Sequence, residues 1–492
     1  MMGKQKKQDQ LFSYSVNLES RIPSHHYLRK IKEVIDLSFV SSAVKDFYGY
    51  NGNESVDPEV IVKMMLLLFL EDIPSERELM RALPYRLDYL WFLDFGLDDA
   101  IPDHSVLSKA RGRWGLKVFK DFFVKGVGQC YEAGLVDGKK LFVDGSLVDA
   151  NASCDSVRKG SAELLQALSG VYSREELKLE EVIAEEQKPE DESGGPGGGS
   201  GYDPTNNHLM CMTDPDSAVV RHGRMPSRPR YKSHRAVDGE CGVITAVEST
   251  SGDVSENSQL FGLVAESEAN TGLEVETVVG DCQYGTNDNF RECGERGIEA
   301  HLGDFKEKQG KRHSGIFGAD KFIYDQDRDV YVCPAGKDLK RRQHKWKRRA
   351  DYYYCPAKLC NACDLKKQCT RSETGRSVIR YEGQEMIDQA RSQSHSYAAK
   401  MDRRKRKHLC EGSFADAANN HGFKRARWRG LWRMKIQDYL IAACQNLRIL
   451  ISNGVGKNSG AVIQRLESRF WNSFLAFGSM FWGNGSLLYQ SG

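Results

Sequence analysis

The chain has 492 residues, enough for about three domains on length alone, and its 40% hydrophobic content is ample for a sizeable core. The net charge of +2 is distributed in blocks: EELKLEEVIAEEQKPEDE (175–192) is acidic, whereas KDLKRRQHKWKRR (337–349), DRRKRKH (402–408) and FKRARWRGLWR (423–433) are basic. Such blocks point to polyanion partners more strongly than the total does, with solvated helix faces as the plainer reading, and the longest apolar run, MMLLLFL (64–70), is too short to span a bilayer.

The start, MMGKQKKQDQLFSYS, lacks the apolar stretch of a secretory signal, so a cytoplasmic location is expected. Thirteen cysteines then suggest thiols or metal ligands rather than disulfides. Residues 20–135 read as helical. VDPEVIVKMMLLLFLEDI (56–73) has an Asp57-Pro58 start, and SERELMRALPYRLDYLWFLDF (75–95) continues until Pro84 interrupts it. In IPDHSVLSKARGRWG (101–115), Asp103 or Ser105 caps a basic helix that is expected to end at Gly115. That helix suits insertion into DNA, and equally an ordinary bundle.

From 139 the period changes. KKLFVDGSLVDAN reads as a strand and turn, 161–187 as a charged helix, and ESGGPGGGSG (192–201) as a flexible linker. RYKSHRAVD (230–238) and GVITAVEST (242–250) are strands joined by a hairpin at Gly239 to Gly242. A helix at 257–272, the strand LEVETVVGD, a short helix at 286–297 and the strand IEAHLG (298–303) follow. The expected fold class is α/β, a mixed sheet in RNase H-like order. The expected domains are 1–135, a helical DNA-binding domain, and 139–303, the first part of the core with an acidic, Gly-rich insertion at 155–229. A basic, cysteine-rich insertion at 304–400, a catalytic helix and basic helix at 401–452, and a tail at 453–492 complete the chain.

Asp144 and Asp281 each follow a run of buried-strand character and are expected where the chain leaves the sheet, where ligand sites of open α/β sheets lie. Two carboxylates there repel unless a cation intervenes. Hard oxygen ligands suit Mg²⁺, and a pair of such ions can activate a hydroxyl and stabilise the leaving oxygen of a phosphodiester. Glu411 is the candidate third acid, on a helix read from Arg403 to His421, with Lys407 four residues earlier on the same face. Spacing alone leaves Asp149, Glu248 and Asp253 as alternatives.

Cys333, Cys355, Cys360, Cys363 and Cys369 offer five thiols for the four places of a tetrahedral zinc, with Cys355, Cys360, Cys363 and Cys369 the chosen set. Buried reduced cysteines are the other reading. Cys282 and Cys410, beside the acids, are read as packing residues. In FKRARWRGLWRMK (423–435), read as a basic helix, Lys424, Arg425, Arg427 and Arg429 are candidate phosphate contacts. Trp428 is a candidate base-stacking residue, the alternative being that it and Trp432 pack on the core.

Taken in order, VDGSLVDANAS, YKSHRAVDGECGVITAVESTSGDV, VVGDCQYG and EGSFADAANNHGFKRARWRGLWRMKIQDYLIAACQNL resemble blocks of the bacterial insertion-sequence DDE transposases, over roughly residues 15–452. The resemblance implies a metal-binding triad of Asp144, Asp281 and Glu411, Mg²⁺ or Mn²⁺ as cofactor, and transposon ends and target DNA as partners. Holding two ends together implies a homodimer on DNA. Related proteins often place Tyr and Arg seven and four residues before the Glu; here Arg404 and Lys407 stand there. Lys407 keeps the charge without the bidentate fork. The alternatives are an RNase H-like nuclease without strand transfer, a non-catalytic DNA-binding descendant, or an interaction protein built around the cysteine insert.

Overall fold

The computed structural model describes residues 17–48, 55–160, 209–221, 223–224, 226–304 and 315–454. The charged helix expected at 161–187, the linker at 192–201 and the tail from 455 lie outside the described residues. No described helix is long and apolar enough to cross a membrane.

The chain opens with helices α1 (Leu18–Arg21), α2 (Tyr27–Val34), α3 (Ser38–Val44), α4 (Pro58–Leu70), α5 (Glu76–Ala82), α6 (Leu87–Phe92) and α7 (Ser105–Glu132). The local signals act as expected. Asp57 Oδ1 accepts from the Glu59 N–H at 2.7 Å, with Pro58 in the first helical position. Pro84 falls in a 3₁₀ turn between α5 and α6. Asp103 caps α7 by accepting from the Ser105 N–H at 2.9 Å. Gly115 does not end the helix. It adopts φ +66°, ψ −171°, and the helix resumes beyond it, so the glycine makes a kink. The basic residues before the kink are partly used for packing. Arg111 lies 3.8 Å over the Trp428 ring and pairs with Glu76, and Arg113 lies over Tyr48.

The central sheet uses β1 (Lys140–Asp149), β4 (Ala218–Val220), β5 (Arg228–Asp238), β6 (Ile244–Ser251), β7 (Thr277–Gly280) and β8 (Glu299–Leu302), with a separate ribbon of β2 (Val157–Lys159) and β3 (Leu209–Cys211). Spatial order is β6–β5–β1–β7–β8, with β4 also on β5. Strands β1, β5 and β6 are antiparallel neighbours, whereas β7 and β8 run parallel to β1. This is the expected RNase H-like mixed α/β order. Helices α8 (Leu260–Thr271) and α9 (Asn287–Arg296) form the crossovers that parallel pairing requires.

The cysteine-rich segment forms an antiparallel sheet of β9 (Ile323–Asp325), β10 (Val330–Val332), β11 (Asp338–Lys345), β12 (Ala350–Tyr354) and β13 (Ser377–Tyr381), with short helices α10 (Ala357–Asn361) and α11 (Lys366–Cys369). It has a small core of its own, including Phe322, Tyr331, Leu339 and Tyr353. The chain rejoins the main fold sooner than residue 400, because Ile387 and Ala390 of α12 (Gln384–Ser394) pack with Phe290 and Leu302. There follow α13 (Tyr397–Arg406), a π-helical turn (Lys407–Glu411), α14 (Gly412–Asn420) and α15 (Leu431–Ser452). The basic helix expected at 423–435 is a correction: Phe423 to Gly430 is irregular, and the helix starts only at Leu431.

Alternation along β1 sorts its side chains between two faces. Leu141 and Val143 pack with Leu260, Leu263 and Phe290. Phe142 and Val148 share a second core with Ile441, Leu67 and Phe119. Helix α15 is buried along nearly its whole length because it lies between the sheet and the N-terminal helices. The N-terminal helices thus share one continuous core with the sheet. Each fully buried Leu or Phe there contributes about 1.5–3 kcal/mol.

Candidate active site

Asp144 is not at the tip of its strand. β1 continues to Asp149, and Asp144 pairs with Arg235 of β5. On the other edge, the parallel pairing to β7 stops at Phe142–Val279. Asp144 therefore lies where β7 has ended, and Asp281 follows directly after β7's last residue, Gly280. The sequence signal of an acid after an apolar run marked the end of pairing on one edge, not the end of the strand.

Asp144 is 14% exposed, and its Oδ1 accepts from the Gly145 N–H at 3.0 Å. Arg406 Nη1 lies 2.6 Å from its Oδ2, and Arg406 Nη2 lies 3.8 Å from Glu411 Oε1. Burial raises the Asp144 pKa; Arg406 and the Gly145 N–H oppose it, while Asp281 and Glu411 reinforce it. Burial alone would lower the pKa of Arg406, but Asp144 foremost, with Cys410, Asp281 and Glu411, raises it. The structure thus brings Asp144, Asp281 and Glu411 into one electrostatic neighbourhood. Asp281 Oδ1 accepts from the Gln283 N–H at 2.7 Å, and Glu411 is 58% exposed.

Arg406 was missed by the sequence reading, which favoured Lys407. Spacing four before Glu411 is a rule for an α-helix, but Lys407–Glu411 form a π-turn. The wider turn shifts the facing position by one residue, so Arg406, five before Glu411, points at the acids. Lys407 and Arg404 are exposed. A single-turn π-bulge leaves little trace in hydrophobic periodicity.

Two buried networks position this helix. Arg235, with no exposure, pairs with Asp438 at 3.1 Å, donates to Gln445 Oε1 at 2.8 Å and Ser413 Oγ at 3.1 Å, and stacks over Phe414 and Phe423. Ser249 Oγ donates to the other Asp438 oxygen at 2.7 Å. On the other side, Asp402 of α13 meets Lys140 at 2.8 Å and His301 at 2.7 Å, joining α13 to β1 and β8.

The alternative acids Asp149 and Glu248 are engaged elsewhere, with Arg230 and Lys435 respectively, each at 2.7 Å. Of the basic segment, Lys424, Arg425 and Arg429 are exposed. Arg427 is not open for a phosphate. Its guanidinium donates to the carbonyls of Ile73 and Leu68 and pairs with Asp72 at 3.1 Å. Trp428 packs edge-on against Phe69 under Arg111.

All five cysteines of the insert line one small cavity of about 30 Å³. The Lys337 N–H points to Cys333 Sγ at 3.3 Å, and the Arg376 N–H to Cys360 Sγ at 3.4 Å. Burial pushes the Cys355 thiol up to about 12, aided by a hydrogen bond with Cys360. Neither these thiols nor the three acids form a closed coordination shell: among the described residues, no group of three or more His, Cys, Asp or Glu side chains is arranged as a metal site.

Residues 16–113 match the family model of a transposase domain (DUF772), and residues 332–451 match that of a transposase DDE domain. The second match contains Glu411 and Arg406 but neither Asp144 nor Asp281. No curated protein matches the chain. Two stretches of the chain are thus similar to transposase domains, and the mixed α/β fold is consistent with a DDE transposase.

Proposed function

We propose that the chain binds the terminal inverted repeats of its element, cleaves the DNA by metal-dependent phosphodiester hydrolysis, and joins the freed 3′-hydroxyl to target DNA. The observation that carries this reading is the convergence of Asp144, Asp281 and Glu411 around Arg406. Carboxylate oxygens are the donors that Mg²⁺ or Mn²⁺ prefers, so the donor set fits a divalent cation, with Asp144, Asp281 and Glu411 as its holders. Such cations would activate a water or 3′-hydroxyl and stabilise the leaving oxygen. Arg406 occupies the Asp144 carboxylate with a positive charge of the chain's own, and beside bound DNA it would hold a phosphate oxygen through its fork. Arg235 and Asp438 hold the Glu411 helix to the sheet, so the third acid is presented at a fixed place.

The same reading gives the domains their roles: the helices before 135 and the exposed Arg404, Lys407, Lys424, Arg425 and Arg429 grip DNA, two copies hold two ends, and the protein works on DNA in the cytoplasm. The insert binds a structural zinc through four of its five thiols. Zinc would draw them together and ionise them, which offsets the cost that burial places on the thiolates.

The test is cleavage and strand transfer of labelled DNA carrying the element's own ends, with Mg²⁺ or Mn²⁺, for wild type and Asp281→Asn. Metal-dependent products that vanish in the variant while DNA binding persists are expected. Binding to the ends without cleavage by wild type under any metal condition would sink the catalytic reading.

A further inference from the structure

A fourth acid faces the same centre. Glu256 opens the turn that leads into α8, and its side chain is 12% exposed. The Cβ that Gly145 lacks would lie 3.0 Å from both Cγ and Cδ of Glu256, so the carboxyl is packed directly against the backbone next to Asp144. Lys232 Nζ stands 3.7 Å from Glu256 Oε1 and donates to the Val254 carbonyl at 2.8 Å, which secures the turn to β5.

A second, independent feature points into this place. Tyr284 has no exposure, and its hydroxyl is buried without a hydrogen-bond partner. Burial raises its pKa, and the charges that add to the effect are Glu256 first, then Asp144 and Asp281. The Asn289 amide donates to the carbonyls of both Asn257 (3.1 Å) and Tyr284 (2.8 Å), stapling the two loops together. A buried hydroxyl left unpaired is costly, and such orphans usually mark a place where another group belongs.

We propose that Glu256 is a fourth carboxylate of the centre, holding a divalent cation with Asp144 and Asp281, and that Tyr284 positions it by hydrogen bonding when the cation is bound. This rests on the metal-dependent reading above. Neighbouring residues of β1 face opposite ways, so Glu256, which lies where a Gly145 side chain would point, reaches the centre from a different side than Arg406, which contacts Asp144. A fourth acid also lowers the excess positive charge that two cations and Arg406 would create.

The experiment is calorimetric titration of the full chain with Mn²⁺ alone, for wild type, Glu256→Gln, Tyr284→Phe, Gly145→Ala and the double variant Asp144→Asn/Asp281→Asn. Glu256→Gln is expected to weaken Mn²⁺ binding about tenfold or more. Gly145→Ala, which displaces the carboxyl without removing it, should do the same, and serves if the glutamine variant does not fold. Tyr284→Phe should weaken Mn²⁺ binding while raising the metal-free melting temperature, because an unpaired hydroxyl is removed. A merely structural tyrosine would leave Mn²⁺ affinity unchanged. Wild-type affinity in Glu256→Gln or Gly145→Ala, with binding lost in the double variant, overturns the fourth acid alone. Wild-type affinity in the double variant overturns the centre itself.

Discussion

Arg406 Nη1 lies 2.6 Å from Asp144 Oδ2, with the two side chains only 10% and 14% exposed. This contact departs from α-helical spacing: the arginine facing the acids is five residues before Glu411, not four, because a π-turn lies between them. Arg406→Ala should therefore cut cleavage by about 10²-fold or more, the scale of losing one preorganised donor at a phosphoryl centre. Lys407→Ala, on the exposed side, should cost far less, as the loss of one phosphate contact among several. Steady-state cleavage of end-labelled DNA separates the two. A larger loss at Lys407 than at Arg406 would return the role to the α-helical position.

The buried pair of Arg235 and Asp438 predicts a stability effect. Asp438→Asn keeps the shape but leaves Arg235 with its charge uncompensated, at a cost of about 3–5 kcal/mol. Urea unfolding should show the midpoint fall. Loss of activity should exceed what the unfolded fraction explains, since α14 carries the chain on from Glu411 and Ser413 is one of Arg235's partners. An unchanged midpoint would mean that the pair adds nothing.

Much of this arrangement was legible in the sequence, for physical reasons that differ by element. Strands β1 and β7 announced themselves by short apolar runs, β5 by alternation along RYKSHRAVD and β6 by its β-branched residues. Asp144 and Asp281 stood out as charges at the ends of such runs. Glu256 did not, because it lies in a short polar turn, ENSQ, whose nearness to Gly145 is a tertiary fact. The irregular path of Phe423–Gly430 was hidden by its composition: alternating Arg and Trp mimic a helix face, yet Arg427 and Trp428 are spent on the N-terminal helices.

Metal removal tests the insert. The purified chain is expected to carry about one zinc, with tetrahedral thiolate ligation. Cys360→Ser or Cys363→Ser should lower the zinc content and the melting temperature, as should a strong chelator. Elemental analysis that finds no zinc in a chain purified without chelator would leave the five thiols as a reduced packing cluster.

His234 gives a pH prediction with a definite sign. It lies fully buried on β5 with Nε2 2.9 Å from Thr250 Oγ1, and burial foremost, with Lys232, lowers its pKa to about 3. The unfolded chain therefore binds more protons than the folded one between pH 3 and the usual histidine value. The contribution is present above about pH 6.5 and is lost as the pH falls, reaching about 3 kcal/mol by pH 4. Asp238, pushed up to about 6 by burial, acts in the opposite sense, losing its contribution as the pH rises. The difference between wild type and His234→Gln, rather than the wild-type slope, isolates the histidine. Parallel stability curves for the two from pH 7 to pH 4 would exclude it.

Lys424 and Arg425 are exposed on the chain that runs alongside Asp149, about 17 Å along β1 from Asp144. Each contact to a phosphate releases counterions, so log affinity falls with log salt by about 0.9 per contact. Lys424→Ala and Arg425→Ala should each reduce the slope by about one without moving the melting temperature. Arg427→Ala should do the reverse: its guanidinium satisfies two buried carbonyls and Asp72, so its loss lowers the melting temperature and leaves the slope unchanged. The contrast separates three neighbouring basic residues by what they touch. A reduced salt slope in Arg427→Ala at an unchanged melting temperature would show that the guanidinium leaves the core to meet DNA.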